Sequence, residues 1–511
     1  NGNLDVDGGT IKLDGNYPVG TDNVALGNAA LDSVEAGGIN NVAIGDDAGT
    51  AITTGDCNVA VGKNALTTST TGAINTAVGY DTLCSTTTGG SNVAVGFTAL
   101  CTNTTGIGNT AIGRESLKSS TTASYNVALG MRSLCANTTG ANNTAVGCDA
   151  LKLNTTGCLN VAVGVQSLDS TTTGVQNTAV GAAIMRALTE GNHNTAVGAA
   201  ALRTVITGGC NIAIGVCALR ENTASFNTAV GTCSLLCTTT GANNTAVGYN
   251  SLCKNTTGCQ NTAVGVNSLK ANTTGLNNSS FGACALCTAT TATNNVSIGS
   301  QTMKLTTTGA NNTAIGYAAL NVNTTGCQNV GVGCGALAGN TTGHSNTAAG
   351  FQSLLANTTG TVNQAFGRSS LCSNTEGDCN SAFGYFSLSS NTTGECNTAL
   401  GNSSLSANTT ASYNTAAGFK SLNANTTGSC NVAFGASAGE AVTTGAYNTA
   451  IGGLSLQSNT TAGNNTAIGA AALRCTTTGC ENTSVGSGSM ASNLTGDNNT
   501  AIGRFALSSN E

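Results

Sequence analysis

Tryptophan is absent, proline occurs once and histidine twice, and only 7% of the 511 residues are charged. Each shortage excludes something. With no Trp and 4% aromatics, a platform on which nucleic-acid bases stack is not expected. The net charge of −6 is spread thinly, with no basic run, so binding of nucleic acid through its phosphates is not expected either. Charge is also too sparse to hold the chain disordered by self-repulsion. No apolar run approaches bilayer length, so no membrane insertion is expected. His193 and His344 lie far apart in the chain, beside no acid or nucleophile arranged as a triad. Carboxylates are scattered, Asp46-Asp47 excepted, which argues against a glycosidase pair. No phosphate loop or GGxGxD calcium roll occurs. Neither an enzyme, a cofactor nor a metal site is expected.

What is there is a repeat. Asn261-Thr262-Ala263-Val264-Gly265 is followed by twelve residues, and then another Asn opens the next copy. Taking the Gly that ends this stretch as register 1, anchors run from Gly27 and Gly45 to Gly486 and Gly503, 29 in all. Of the 28 intervals 26 are 17 residues long; the first is 18 and the one ending at Gly231 is 16. A short fixed period means one unit of structure stacked many times.

The copies serve as an internal alignment. Register 14 is Asn throughout, from Asn23 to Asn499, and register 5 is Leu in 24 copies, Met in three and Gly in two. Register 17 is apolar, and register 16 is Ala in 25 copies, with Ser280, Ser297, Gly331 and Ser484 as the exceptions. Strand alternation puts registers 15 and 17 on one face and 16 on the other. We read registers 5 and 17 as the core. The size ceiling at register 16 then implies close packing from outside, by another strand of the coil or, the preferred reading, another chain. The Asn-Thr-Thr-Gly of registers 8–11 reads as a turn, and the anchor Gly as a second corner. Seventeen residues rich in Thr, Asn and Gly leave no room for a long helix. The expected fold is all-β: a parallel β-solenoid, or β-roll, of about 29 coils of 17 residues, each with two short strands. At about 4.8 Å per strand, 28 steps give a rod about 130 Å long.

Stacked asparagines can form a hydrogen-bonded ladder, here exemplified by Asn58, Asn75, Asn92, Asn109, Asn143, Asn261 and Asn499. The alternative is that this Asn holds a left-handed corner. The 22 cysteines fall only at registers 2, 3, 6, 7, 12 and 13, the corners. Cys84 and Cys101 share register 6 in neighbouring coils, at a separation compatible with a disulfide. Cys253 with Cys259, Cys372 with Cys379 and Cys475 with Cys480 flank the turn. Disulfides and free thiols both stay open; oxidation would indicate an extracellular setting. Zinc lacks paired CxxC and His ligands, Cys284 and Cys287 being isolated.

Residues 1–22 lie outside the repeat and read as an N-terminal β cap or lead-in, with the solenoid spanning 23–511. Three coils depart from the pattern: Asp46–Cys57, Ala182–His193 and Ala436–Tyr447. In the first and third, Gly49 and Gly439 replace Leu while Ile52 and Val442 appear three residues on, as if the apolar contact had moved. The chain begins on Asn1, not Met, and stops at Glu511 inside a coil, which suggests processing or a cut.

The copy Asn244-Thr245-Ala246-Val247-Gly248-Tyr249-Asn250-Ser251-Leu252, with its turn Asn255-Thr256-Thr257-Gly258, resembles the repeats of phage and bacterial tail-fibre-domain proteins. The NTAVG or NVAIG strand is similar, more distantly, to head repeats of YadA-like trimeric autotransporter adhesins. The likeness covers residues 23–511. It implies a homotrimer, a left-handed roll, and adhesion to a host cell-surface receptor or glycan. Adhesin repeats are shorter, with fewer Leu and Cys, so handedness and trimer contacts carry over least well.

The leading expectation is therefore a non-enzymatic fibrous adhesion protein, a viral tail-fibre shaft on a virion that presents a host-attachment surface. The alternatives are an extracellular filament or cell-surface adhesin cross-linked by cysteines, and an ice-binding solenoid suggested by Thr at registers 9, 10 and 15.

Overall fold

The structure, a computed structural model, describes residues 22–509. The proposed N-terminal cap thus lies almost wholly outside the described residues. The chain divides into two units, Asn1–Asn250 and Ser251–Glu511. The first holds strands β1 (Val24–Leu26) to β14 (Thr245–Val247), the second β15 (Thr262–Val264) to β29 (Thr500–Ile502). Within each unit consecutive strands pair in parallel, residue for residue, so that Thr195 meets Ile212 and Thr449 meets Thr466. Both units are all-β parallel solenoids whose coils repeat every 17 residues or so, and no helix occurs among the described residues.

The coil from Gly130 shows how the sequence winds. It contains one strand of three residues, Thr144–Val146, and not the two expected. The remaining residues turn. Ser133 N–H donates to the Gly130 carbonyl (3.3 Å) and Asn137 N–H to the Leu134 carbonyl (3.1 Å), closing two successive tight turns over registers 1–8. Adjacent coils are tied at nearly every step: Leu134 N to Ala150 O (3.0 Å), Thr138 N to Thr155 O (2.9 Å) and Thr144 N to Asn160 O (2.8 Å). Backbone groups that a turn leaves unpaired within one coil are thus satisfied by the next.

Turning so tightly forces positive φ at registers 1, 3, 5 and 13, here Gly130 (+133°), Arg132 (+55°), Leu134 (+51°) and Asn142 (+58°). Register 1 must be Gly on two counts. Its φ is one that side chains avoid, and a Cβ on Gly130 would lie 2.6 Å from the Gly147 carbonyl oxygen. Left-handed Leu costs about 1–2 kcal/mol. Full burial of the side chain contributes about 1.5–3 kcal/mol, enough to hold it there. Asn at register 14 is not in the left-handed region; that geometry falls to its neighbour at register 13.

A second expectation is overturned. The core is built on registers 4, 5, 8, 14 and 16, and not on register 17. Ala145 and Leu134 are fully buried, whereas register 17 faces outward, with Ile112 40% and Phe434 44% exposed. A three-residue strand turns its middle residue in and its two ends out, so the ceiling on register 16 comes from the coil's own interior. A Cβ at Gly331 would sit 3.5 Å from Leu320 Cγ. Ser280 and Ser484 are buried there with each hydroxyl donating to the register-4 carbonyl five residues on, Ala285 (3.1 Å) and Ser489 (2.8 Å). Ile52 and Val442 are buried where Gly49 and Gly439 leave room.

Candidate binding surfaces

The interior holds asparagine as well as Leu and Ala. Asn58 donates through Nδ2 to Asn41 Oδ1 (3.1 Å) and to the Gly72 carbonyl (2.9 Å), and its backbone N–H donates to the same Asn41 Oδ1 (3.0 Å). Asn75, Asn92, Asn109 and Asn143 repeat this arrangement on the coil before each. In the second unit Asn261 Oδ1 accepts from Asn278 (3.0 Å), and Asn499 Nδ2 reaches Asn482 (3.1 Å). Six of these seven are fully buried; Asn499, near the described end, is part-exposed. These seven amides are spent on one another's neighbours along the column and on turn carbonyls.

Sequence reasoning missed a second inner column at register 8. Asn154 Nδ2 donates to Asn137 Oδ1 (2.7 Å) and to the Gly157 carbonyl (3.0 Å), which closes the Asn-Thr-Thr-Gly turn from within. Asn stands at that register in 16 of the 29 copies, and that recurrence was the available signal. At register 9 the Thr hydroxyl is also consumed, Thr138 Oγ1 donating to the Thr155 carbonyl (3.0 Å). In most coils the Thr of register 10 is the exposed one.

Function must therefore sit on outward registers. Register 17 forms an apolar column in each unit: Ile112, Val180 and Ile214 in the first, Ile298, Ile315 and Ile468 in the second, each 38–41% exposed. Beside it, register 2 of the second unit places aromatics in alternate coils: Tyr317, Phe351, Tyr385 and Phe419. Arg368 fills one gap, its guanidinium carbon 5.6 Å from the Phe351 centroid and 5.8 Å from that of Tyr385. No protein-family model and no curated protein matches this chain. The outward surface has to be read from its own chemistry.

Among the described residues no two cysteines are joined in a disulfide. Cys84 and Cys101 stand with their sulfurs 2.8 Å apart. A hydrogen bond from Cys101 holds the Cys84 thiol down at about 7, and the same contact together with burial pushes Cys101 up. Cys379 is hydrogen-bonded to Cys396 one coil on, while Cys372 Sγ donates to the Ser389 carbonyl (3.3 Å). Cys259 and Cys480 each point back to their own turn, at Thr257 O (3.4 Å) and Thr478 O (3.5 Å). Cys253 and Cys475 are part-exposed at the same corners. Cysteines of one register meet because neighbouring coils stack about 4.8 Å apart; those flanking one turn start from opposite ends of it. Cys287 is raised by burial and by its neighbour Cys284. Among the described residues no three of His, Cys, Asp and Glu gather as a metal site.

Proposed function

We propose that this chain is a non-enzymatic fibrous protein of the tail-fibre-shaft kind. It assembles as a homotrimer of left-handed rolls and presents its corners as an attachment surface, on a virion or at a cell exterior. The observation that carries this reading is the register-17 column, apolar in every coil and open to water in most. A contiguous apolar surface on one molecule favours burial against another. The column carries no charge in any copy, so the same column on a second and third copy is its natural complement. The variable corners at registers 2, 3, 6, 7, 12 and 13 are left for a host receptor or glycan, with weak repeated contacts multiplied by avidity. Nucleic acid, membrane insertion and a cofactor have no part in this reading.

Mass photometry of the full chain tests it. The parent is expected as a trimer, and the double variant Ile298→Lys, Ile315→Lys as a monomer. A parent that is monomeric at every concentration sinks the assembly.

The thiol pairs favour a second reading, an extracellular filament cross-linked through cysteines. Non-reducing mass spectrometry separates the two: disulfides linking separate rods support the filament, and disulfides confined to one rod support the fibre. The ice-binding reading is weaker, because the register-9 hydroxyls are spent between coils and leave a single exposed Thr column.

A further inference from the structure

Basic residues that are scattered in the sequence become neighbours in the first unit. Register 6 of the seven coils beginning at Gly113 carries Lys118, Cys135, Lys152, Asp169, Arg186, Arg203 and Arg220. Five of the eight Lys and Arg among residues 22–250 thus lie on one corner. The absence of a basic run is a property of the linear order only.

The last three are consecutive. The backbone shows the stacking directly: Ala187 N–H donates to the Arg203 carbonyl and Thr204 N–H to the Arg220 carbonyl, both at 3.1 Å. Guanidinium groups on stems one rung apart, about 4.8 Å, repel one another unless an anion lies between or beside them. The outer two are held by acids through Nε, Arg186 by Asp169 (3.4 Å) and Arg220 by Glu221 (2.8 Å). Glu221, and Cys217 beside it, raise the Arg220 pKa. The middle one, Arg203, is exposed and has no ion-pair partner among the described residues. A shallow cavity of about 300 Å³ opens here, lined by Ser170, Arg186, Ala187, Arg203 and Thr204.

We propose that this corner binds an acidic polysaccharide, with the cavity at Arg203 taking a sulfate or carboxylate and the column receiving further anionic groups along the chain. The fork of Arg203 suits a bidentate oxyanion, and the hydroxyls of Ser170 and Thr204 edge the same cavity. An extended 1,4-linked glycan advances by about one rung per sugar, so one register can follow it. A single-stranded nucleic acid would also need aromatic platforms for its bases, and register 6 of these coils has none. This deepens the attachment reading and rests on it for its purpose, but it names its own residues and its own ligand class.

The test uses the full chain and three probes in biolayer interferometry: dextran sulfate, neutral dextran and oligo-dT. Dextran sulfate is expected to bind in a salt-sensitive way and neutral dextran not at all. Arg203→Gln should weaken binding about tenfold, and R186Q/R203Q/R220Q should remove it. Thr105→Ala, at the exposed register 10 and off the corners, should leave it unchanged. Melting curves for each variant show that the fold is kept. Binding that survives the triple substitution, or no binding by the parent, overturns the proposal. Oligo-dT binding as tight as dextran sulfate, with the same Arg dependence, overturns the ligand class. If these results fail while labelled protein still adheres to cells, only the ridge is wrong; if they hold while nothing adheres, the attachment reading falls instead.

Discussion

The two units share an interior and differ at their corners. Leu at register 5, Ala at 16 and Asn at 14 recur in both. Yet the first unit carries cations in consecutive coils at register 6, and the second carries aromatics in alternate coils at register 2. The difference teaches that packing dictates the inward registers, whereas the outward ones are free to specialise.

The comparison can be broken most forcefully at the anchor. Gly130→Val in the first unit and Gly299→Val in the second should each cost about 3 kcal/mol or more, read as loss of amide exchange protection in neighbouring coils. If one unit tolerates the change, the interiors are not equivalent. Asn109→Ala should cost nearly as much, about 3 kcal/mol. It strips the acceptor from the backbone N–H and Nδ2 of Asn126 and the donor from the Ala123 carbonyl. Chemical denaturation would measure this, and a loss below that of an exposed substitution would show the ladder to be incidental. Ala263→Leu should overpack the coil by about 1–3 kcal/mol, lowering the melting temperature whatever the oligomeric state; an effect on assembly alone would return register 16 to an interface.

Two changes sharpen the outward side. Ile112→Lys should shift stability by less than about 0.5 kcal/mol while weakening association, seen by sedimentation. The smallest effect concerns Cys84, whose folded value of about 7 lies below the ordinary 9.0. Its thiolate therefore adds stability as pH rises from about 7 towards 9.0, and that contribution is lost as pH falls through 7. Iodoacetamide should alkylate Cys84 with a midpoint near 7, and Cys101→Ala should move the midpoint up. An unchanged midpoint would mean that the thiol pair is not coupled.

Much of the coil is legible in the amino-acid order. The anchor spacing announces a winding, and Leu at register 5 announces its core. The facing of registers 16 and 17 is not legible there. Alternation says which residues share a face, but a strand of three residues has no further positions to decide which face is inside. A ceiling on size looks the same whether the obstacle is the coil's own Leu or a neighbouring chain. The basic corner is available in principle: seventeen-residue rows align Arg186, Arg203 and Arg220 in one column. A search for runs along the chain passes over them.

The amino-acid order by itself determined the period, the all-β class and the positions that Gly, Asn and Leu dominate, because backbone geometry and hydrogen-bond satisfaction act on each coil locally. Only the tertiary winding decided which apolar column is buried and which meets water. It also decided which charges and thiols become neighbours, because a separation of seventeen residues in sequence becomes a single strand spacing in space.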